Sequence, residues 1–228
     1  MSSRVDRIVE LTRGPAVLDV GCAAHSPDPG NPAWLFGRVK KRFPSAWGVD
    51  VSPGNIKELK QAGYSNVAAM DAQSLSLPVQ FDTIIAGDVV EHLENPAGFL
   101  RSASALLKEG GRIIVTTPSP FALPSIVYAT FRFPKTCANE EHVAWFCQST
   151  FHSLVERVGL EVLHWELIDD FSPGGKEYRE GKVRRSDLRY RAFIRFLRLM
   201  KWILPRRLYC VTQLFVVSQA TQDGVLRT

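Results

Sequence analysis

Short apolar segments alternate with helix-like segments about every 15–25 residues, and this rhythm is the feature that most constrains the fold. The apolar runs that read as strands cover residues 16–21, 46–50, 66–70, 81–87 and 112–118. The segments that read as helices cover residues 3–12, 32–42, 53–62 and 96–108. Parallel strands joined by crossover helices produce this pattern. The runs are continuously apolar, which favours a sheet that is buried on both faces.

The rhythm changes after Pro118. Residues 118–140 carry four prolines and many aromatic side chains, so we expect an irregular loop there. Further along, the patterns predict a helix at 148–158, a strand at 160–168 and a last strand at 207–218. No internal repeat or linker divides the chain, so residues 1–228 are expected to form one domain.

Composition excludes several classes of protein. With 228 residues, 45% hydrophobic and 22% charged, the chain is ordinary for a globular protein and long enough for a sizeable core. The N-terminal segment is too polar for a signal peptide, and no apolar run approaches the roughly 20 residues of a membrane helix. Four irregularly spaced cysteines fit a reduced, cytoplasmic protein.

The net charge of +5 belongs to one segment. Residues 176–207 hold twelve Lys/Arg against three Asp/Glu, which leaves 16 basic and 20 acidic residues in the remainder. The chain as a whole therefore does not have the charge distribution of a nucleic-acid-binding protein.

Carboxylates end or follow each of the first four predicted strands, at Asp19, Asp50, Asp71 and Asp88. In open α/β sheets, ligands bind beyond the carboxyl ends of the strands. A dinucleotide would need a G-x-G-x-x-G loop to hold its pyrophosphate, whereas this chain has glycine only at Gly21, followed by alanine at 23 and 24. A cationic nucleoside without phosphates fits the acids better, and S-adenosylmethionine (SAM) is such a molecule.

Six motifs in a fixed order resemble those of class I SAM-dependent methyltransferases, in particular the small-molecule branch of ubiquinone biosynthesis and glycan pathways. The motifs are VLDVGC at 17–22, WGVD at 47–50, MDA at 70–72, FDTIIAGDVVEHLENP at 81–96, LKEGGRIIVTTPSP at 107–120 and HVAWFCQSTFHSLVERVGLEV at 142–162. The resemblance covers residues 15–168 and the last strand. It implies a doubly wound, Rossmann-like seven-stranded sheet of order 3-2-1-4-5-7-6, with an antiparallel last strand.

The resemblance also implies roles for single residues around SAM. The methionine part would be bound near Asp19, Gly21 and Gly87. Asp50 would accept hydrogen bonds from the ribose hydroxyls, with Val51 beside it. The adenine would meet the Asp71 carboxylate and the Ala72 amide.

The sequence departs from the family at Ala23 and His25, where the family usually has glycines. Ala23 is a mild change if its φ is negative. His25 could fill space near the carboxylate of the cofactor and donate a hydrogen bond to it. A catalytically inactive binding module is the alternative that these two departures leave open.

Catalytic candidates are Asp88, His92 and His142. Asp88, Glu91 and His92 fall within one helical turn, where a base could take a proton from a hydroxyl, although a structural role is the alternative. His142 would line the mouth of the acceptor site or simply pack there. Cys137, His142, Cys147 and His152 recur every five residues, which is not the usual zinc spacing, so we predict no metal.

Aromatic residues at 121, 128, 131 and 133 would cover an acceptor, within a covering loop at residues 118–147. Residues 169–206 would form a basic insertion with a helix at about 185–203. Arg184, Arg191, Arg195 and Arg198 share one face of it, while Phe193, Phe196, Met200 and Ile203 share another. The helix could rest on an anionic membrane, grip an acidic acceptor, or dock its apolar face on the sheet.

The sequence therefore predicts a SAM-dependent methyltransferase acting on a small acceptor, with O-methylation of a sugar or glycan-like molecule favoured by resemblance. A membrane-proximal enzyme for a lipid or quinone is the alternative within the same class. An NAD-dependent oxidoreductase is disfavoured, because the glycines that would hold the phosphates are absent.

Overall fold

The computed structural model describes residues 3–23, 31, 33–131, 141–169 and 202–220, together with the single positions 188, 192, 195, 196, 199 and 200. The strands are β1 (Val17–Val20), β2 (Trp47–Asp50), β3 (Val67–Ala69), β4 (Phe81–Gly87), β5 (Leu107–Pro118), β6 (Leu160–Ile168) and β7 (Thr212–Gln219). The helices are α1 (Arg4–Leu11), α2 (Leu35–Arg42), α3 (Pro53–Gln61), α4 (Pro96–Ala105), α5 (Leu123–Phe131), α6 (Gln148–Arg157) and α7 (Arg206–Tyr209).

The seven strands form one sheet in the order β3-β2-β1-β4-β5-β7-β6, which confirms the predicted fold. The strands from β3 to β5 pair in parallel, and β7 runs antiparallel to both β5 and β6. Asp19 of β1 lies opposite Gly48 of β2 and Ile85 of β4. This register brings the carboxyl ends of β1, β2 and β4 together at one edge of the sheet.

Both faces of the sheet are buried around its central strands, as the continuous apolar runs predict. Leu18 and Val20 of β1 face a core that α4 and α6 complete with Phe99 and Phe151. Val17 of the same strand faces a second core, built with residues of α1 and α2. Successive strand residues point to opposite faces, so each strand contributes to both layers.

A third cluster fixes the loop that follows β1. Cys22 and Ala23 pack with Trp34, Phe36 and residues of α3. The Trp34 indole N–H donates to the Cys22 carbonyl at 2.8 Å, which ties the loop to the start of α2. The first residues of the predicted ligand loop are therefore part of the core.

Helix α2 begins three residues later than predicted. Asn31 does not cap it; its side chain accepts a hydrogen bond from the Ala33 amide at 2.9 Å, within a turn that precedes the helix. Helix α4 ends at Ala105 rather than Lys108, because Leu107 is buried and already pairs with Phe81 in the sheet. The chain from Leu107 therefore belongs to β5, which the sequence pattern starts only at residue 112.

The expectation of an irregular loop throughout 118–140 is wrong for Leu123–Phe131, which forms α5. Pro124 lies in its first turn, where proline costs no hydrogen bond. The predicted strand 207–218 is also corrected at its start, since Arg206–Tyr209 is helical and β7 begins at Thr212.

Most of the predicted basic helix, including Arg184, Arg191, Phe193 and Arg198, lies outside the described residues. Its described positions before 201 have helical backbone, and Phe196 and Ile203 are exposed. Docking of the apolar face on the sheet is therefore not observed at these two positions.

Candidate cofactor and acceptor site

The loop after β1 turns back sharply onto β2. The amides of Gly21 and Cys22 both donate to the Val49 carbonyl, at 2.8 and 3.1 Å. Gly21 has a φ of +78°, and a Cβ there would lie 2.9 Å from Val89 Cγ2. Glycine is needed at this position both for its backbone conformation and for the close approach of β4's carboxyl end.

Asp50 is held by backbone amides at the end of β2. Its Oδ1 accepts from the Ser52 amide at 2.9 Å, and its Oδ2 accepts from the Ala23 amide at 3.2 Å. Two amide donors fix the orientation of the carboxylate. Beside it, the apolar side chain of Val51 is 75% exposed, a surface that a flat ring could cover.

Asp71 and Ala72 lie on the rim of the site. Asp71 is exposed, and its Oδ1 accepts from the Gln73 amide at 2.8 Å. The carboxylate thereby caps the short 3₁₀ turn Ala72–Ser74. The contact of Asp71 with adenine remains a prediction.

Asp19 is buried beneath the loop, and its Oδ1 has no hydrogen-bond partner among the described residues. Burial is the main cause that raises the pKa of Asp19 to about 8; the charge of Arg4 opposes the rise, and the charge of Asp50 adds to it. A buried carboxyl without a partner is costly. A cationic ligand above the loop would reduce that cost, so the residues present fit a positively charged cofactor.

Gly87 is the last residue of β4, and Asp88 follows it. Asp88 has a φ of +55°, and no other non-glycine residue among those described is in the left-handed region. Thr116 holds it there, since the Asp88 amide donates to the Thr116 carbonyl at 3.0 Å and the Thr116 hydroxyl donates to Asp88 Oδ1 at 2.9 Å. A strained backbone fixed in this way is a frequent mark of a functional site.

Arg4, the first residue of α1, contacts the site. Its Nη1 lies 2.9 Å from Asp88 Oδ2 and 3.2 Å from Thr116 Oγ1. Neither Arg4 nor Thr116 is among the site residues that the sequence predicts. No local motif marks Arg4, because its partners lie 84 and 112 residues away along the chain.

Of the three candidate catalytic residues, His92 lies on the 3₁₀ turn Val90–His92, His142 lies on the segment 141–144, and Asp88 precedes the turn. The rings of His92 and His142 are 4.7 Å apart, edge to face, and His142 Nε2 lies 4.0 Å from Glu91 Oε1. His92 and His142 are thus brought together, whereas the side chain of Asp88 is turned to Arg4 and Thr116.

The five-residue Cys/His series is not brought together where it is described. Cys147 caps α6, and the His152 ring packs 6.1 Å from that of Phe215. Cys137 and His25 both lie outside the described residues. The absence of a metal remains a prediction.

Fold and site together define the class of SAM-dependent methyltransferases: a seven-stranded sheet of this order, with acids and a tight glycine turn at the carboxyl ends of its first strands. The sequence model of the family described as "Methyltransferase domain" matches residues 1–165. The chain belongs to this family, and SAM is the cofactor of the class.

Three named methyltransferases are similar to parts of the chain. Aklanonic acid methyltransferase DauC of Streptomyces sp. (strain C5) is 32% identical over 52% of this chain and 54% of its own length. Malonyl-[acyl-carrier protein] O-methyltransferase of Hahella chejuensis is 34% identical over 44% and 36%. Ubiquinone biosynthesis O-methyltransferase of Leptothrix cholodnii is 25% identical over 69% and 72%. The chain thus spans about half or less of the first two relatives.

Among solved structures, a SAM-dependent methyltransferase from Archaeoglobus fulgidus superposes with a TM-score of 0.62. It is 22% identical, and the superposition covers 95% of this chain and 91% of that one. At this level of identity the likeness shows the fold. In the part of the chain that is described, no helix has the length and apolarity that crossing a membrane would require.

Proposed function

We propose that the protein is an enzyme that transfers the methyl group of SAM to a hydroxyl of a small acceptor. The observation that carries this proposal is the pair of carboxylates at the ends of β1 and β2. Asp19 is buried with an oxygen that lacks a partner, and Asp50 is oriented by two amides beside the exposed Val51. Together they form an acidic cleft that suits a phosphate-free, positively charged nucleoside.

Different residues of the site bind different parts of SAM. Asp50 holds the ribose hydroxyls, Val51 covers the adenine, and the Asp71 carboxylate and Ala72 amide contact its edge. Asp19, the Gly21 backbone and Gly87 surround the methionine part. When bound, SAM supplies a methyl group on a sulfonium, which is already a good leaving group. The protein's main tasks are therefore alignment and exclusion of water.

The acceptor side is formed by the ends of β4 and β5, with α5 and the segment from residue 141 above them. A ring-shaped acceptor, either a sugar or glycan-type molecule or a phenolic one, fits walls that contain Trp145 and the two histidines. The name of the ubiquinone relative supports a phenolic or quinone-type acceptor as the second candidate. The proposed location is the cytoplasm, where SAM is made and used.

Calorimetry with SAM tests the cofactor site. Asp50→Asn removes a charge-assisted acceptor of the ribose while keeping the shape of the side chain. We expect binding roughly 10- to 100-fold weaker than that of the wild type, from a loss of ~1.5–3 kcal/mol. Asp82→Asn is the matched control, since Asp82 lies at the opposite end of the sheet beside Lys108.

Wild-type protein that releases no heat with SAM, or equal affinities for wild type and Asp50→Asn, would overturn the proposal. An inactive binding module predicts a different result. It would bind SAM without forming S-adenosylhomocysteine in the presence of any acceptor.

A further inference from the structure

We propose that Glu91 and His142 act as a pair that takes the proton of an acceptor hydroxyl, with His142 as the base and Glu91 as the positioning residue behind it. This inference rests on the proposed function and deepens it. It assigns the acceptor to molecules that lose a proton on methylation, such as alcohols and phenols, rather than to carboxylates.

The backbone places the two residues against each other. The Glu91 carbonyl accepts hydrogen bonds from the amides of Val143 and Ala144, at 2.9 and 3.2 Å. On the other side, His92 Nδ1 donates to the Glu141 carbonyl at 3.2 Å. His142 is therefore flanked by three hydrogen bonds that fasten its segment to the turn carrying Glu91. The Trp145 ring meets the imidazole edge to face at 5.6 Å.

Burial determines which residue of the Glu91–His142 pair can contact an acceptor. The Glu91 side chain is 1% exposed, whereas that of His142 is 10% exposed. Glu91 cannot touch a molecule in the cleft, so it can act only through a neighbour. His142 Nε2, at 4.0 Å from Glu91 Oε1, belongs to that neighbour, and the His142 side chain keeps a partly exposed surface.

The charge balance around Glu91 favours a cation at His142. Among the described residues, the charged or titratable groups near Glu91 are Asp88, Arg4, His92 and His142. Burial, the largest cause, and the charge of Asp88 together raise the pKa of Glu91 to about 8, with hydrogen bonding and the charge of Arg4 offsetting part of the rise. An ionised Glu91 carboxylate therefore has too little positive charge nearby to balance its own negative charge. A proton accepted by His142 supplies that charge, and Glu91 in turn makes the imidazole a stronger base.

Bonds, electrons and the proton are all accounted for in the proposed methyl transfer. The acceptor oxygen forms a bond to the methyl carbon, the carbon–sulfur bond breaks, and its electron pair stays on sulfur. The hydroxyl proton passes to His142, which later returns it to water. A carboxylate acceptor has no proton to lose, so it would gain nothing from the pair. The cluster therefore selects neutral O–H groups.

The activity test compares Glu91→Gln with Glu166→Gln. Glu166 lies 3.5 Å from His164 on β6 and is the matched control, because it also pairs with a histidine but lies outside the cleft. The probes are catechol and methyl α-glucoside as hydroxyl acceptors and benzoate as a carboxylate. We expect S-adenosylhomocysteine only with hydroxyl probes. Glu91→Gln should lower kcat roughly 10- to 100-fold with the KM for SAM unchanged.

The pH dependence of kcat separates positioning from mere packing. In Glu91→Gln the rising limb of the plot of kcat against pH should move to lower pH. The reason is that the His142 imidazole loses the nearby carboxylate that favours its protonation. A kcat equal to that of the wild type, a limb that does not move, or preferred methylation of benzoate would overturn the inference.

A measurement without acceptor or SAM decides the question if none of the three probes is methylated. In histidine-labelled protein, NMR follows the His142 ring, assigned with His142→Asn. The midpoint of its titration should fall by about one pH unit or more in Glu91→Gln. An unchanged midpoint would overturn the proposal that Glu91 and His142 act as a pair. Micromolar Zn²⁺ binding that Glu91→Gln abolishes without a midpoint shift would overturn it as well. Failure of the SAM calorimetry overturns the proposed function separately.

Discussion

Gly21 and Gly159 adopt nearly the same backbone conformation, with φ of +78° and +77°. Their surroundings differ, since a Cβ at Gly21 would lie 2.9 Å from Val89, whereas a Cβ at Gly159 would meet nothing within 4 Å. The pair therefore separates the cost of a left-handed backbone from the cost of filling the cofactor loop.

Alanine at each position should cost about 1–2 kcal/mol of unfolding free energy from the backbone alone. Gly21→Ala should cost more, because the added methyl presses on Val89, and only this variant should weaken SAM binding. Urea unfolding and calorimetry measure the two effects. Equal losses in both variants with unchanged affinity would show that the loop tolerates a side chain.

Residues at strand ends could be predicted from the sequence, while residues brought in from elsewhere could not. Asp19, Gly21 and Asp50 follow recognisable apolar runs, and the rule for parallel sheets places them at one edge. Arg4 sits on an ordinary amphipathic helix, so its contact with Asp88 is visible only in three dimensions. Glu91 falls within a recognised motif, but its burial beneath His142 depends on a segment 50 residues away.

Among the elements, α6 begins with an unusual cap. The Cys147 thiol lies 3.2 Å from the Ser149 hydroxyl and 3.5 Å from that of Thr150, and its amide donates to Thr150 Oγ1. Hydrogen bonds from Ser149 and Thr150 lower the pKa of Cys147 to about 7. Burial instead raises the pKa of Cys22 well above its usual range.

Alkylation by iodoacetamide should therefore modify Cys147 at neutral pH, with a rate that rises through about pH 7, while Cys22 and Cys210 stay protected by burial. Ser149→Ala removes the largest cause of the lowered pKa, so the midpoint should move up toward that of an ordinary thiol, about 8.5. Peptide mapping by mass spectrometry measures the rate at each cysteine. Faster labelling of Cys22 would contradict the prediction.

Element boundaries were predicted less well than element types, for a physical reason. The run Leu106–Leu107 fits a helix end and a strand start equally, and only pairing with β4 decides between them. Helix α5 was missed because Pro120 and Pro124 signal a loop, although a proline in the first turn is compatible with a helix. Both errors come from tertiary context and turn positions that local composition does not encode.

Across the whole molecule, the parallel sheet gathers acids from distant parts of the chain. Asp19 and Glu91 are buried near its carboxyl edge, and each has its pKa raised to about 8, mainly by burial. The unfolded chain would release the same protons near pH 4. Between these values the folded protein holds protons that the unfolded chain has lost, so this contribution to stability is full below about pH 4 and is lost as pH rises to about 8.

Asp19→Asn removes one of the two carboxyls without changing its shape. The variant should therefore become more stable relative to the wild type as pH rises from 5 to 8. The gap, which is the difference between their free energies of unfolding, should be largest at pH 8. Urea unfolding at pH 5, 6.5 and 8 measures it, with Asp82→Asn as the control at the opposite end of the sheet. A gap that stays constant or shrinks with pH would mean that Asp19 is already ionised in the folded protein. The acidic cleft would then not need a cationic ligand to stabilise it.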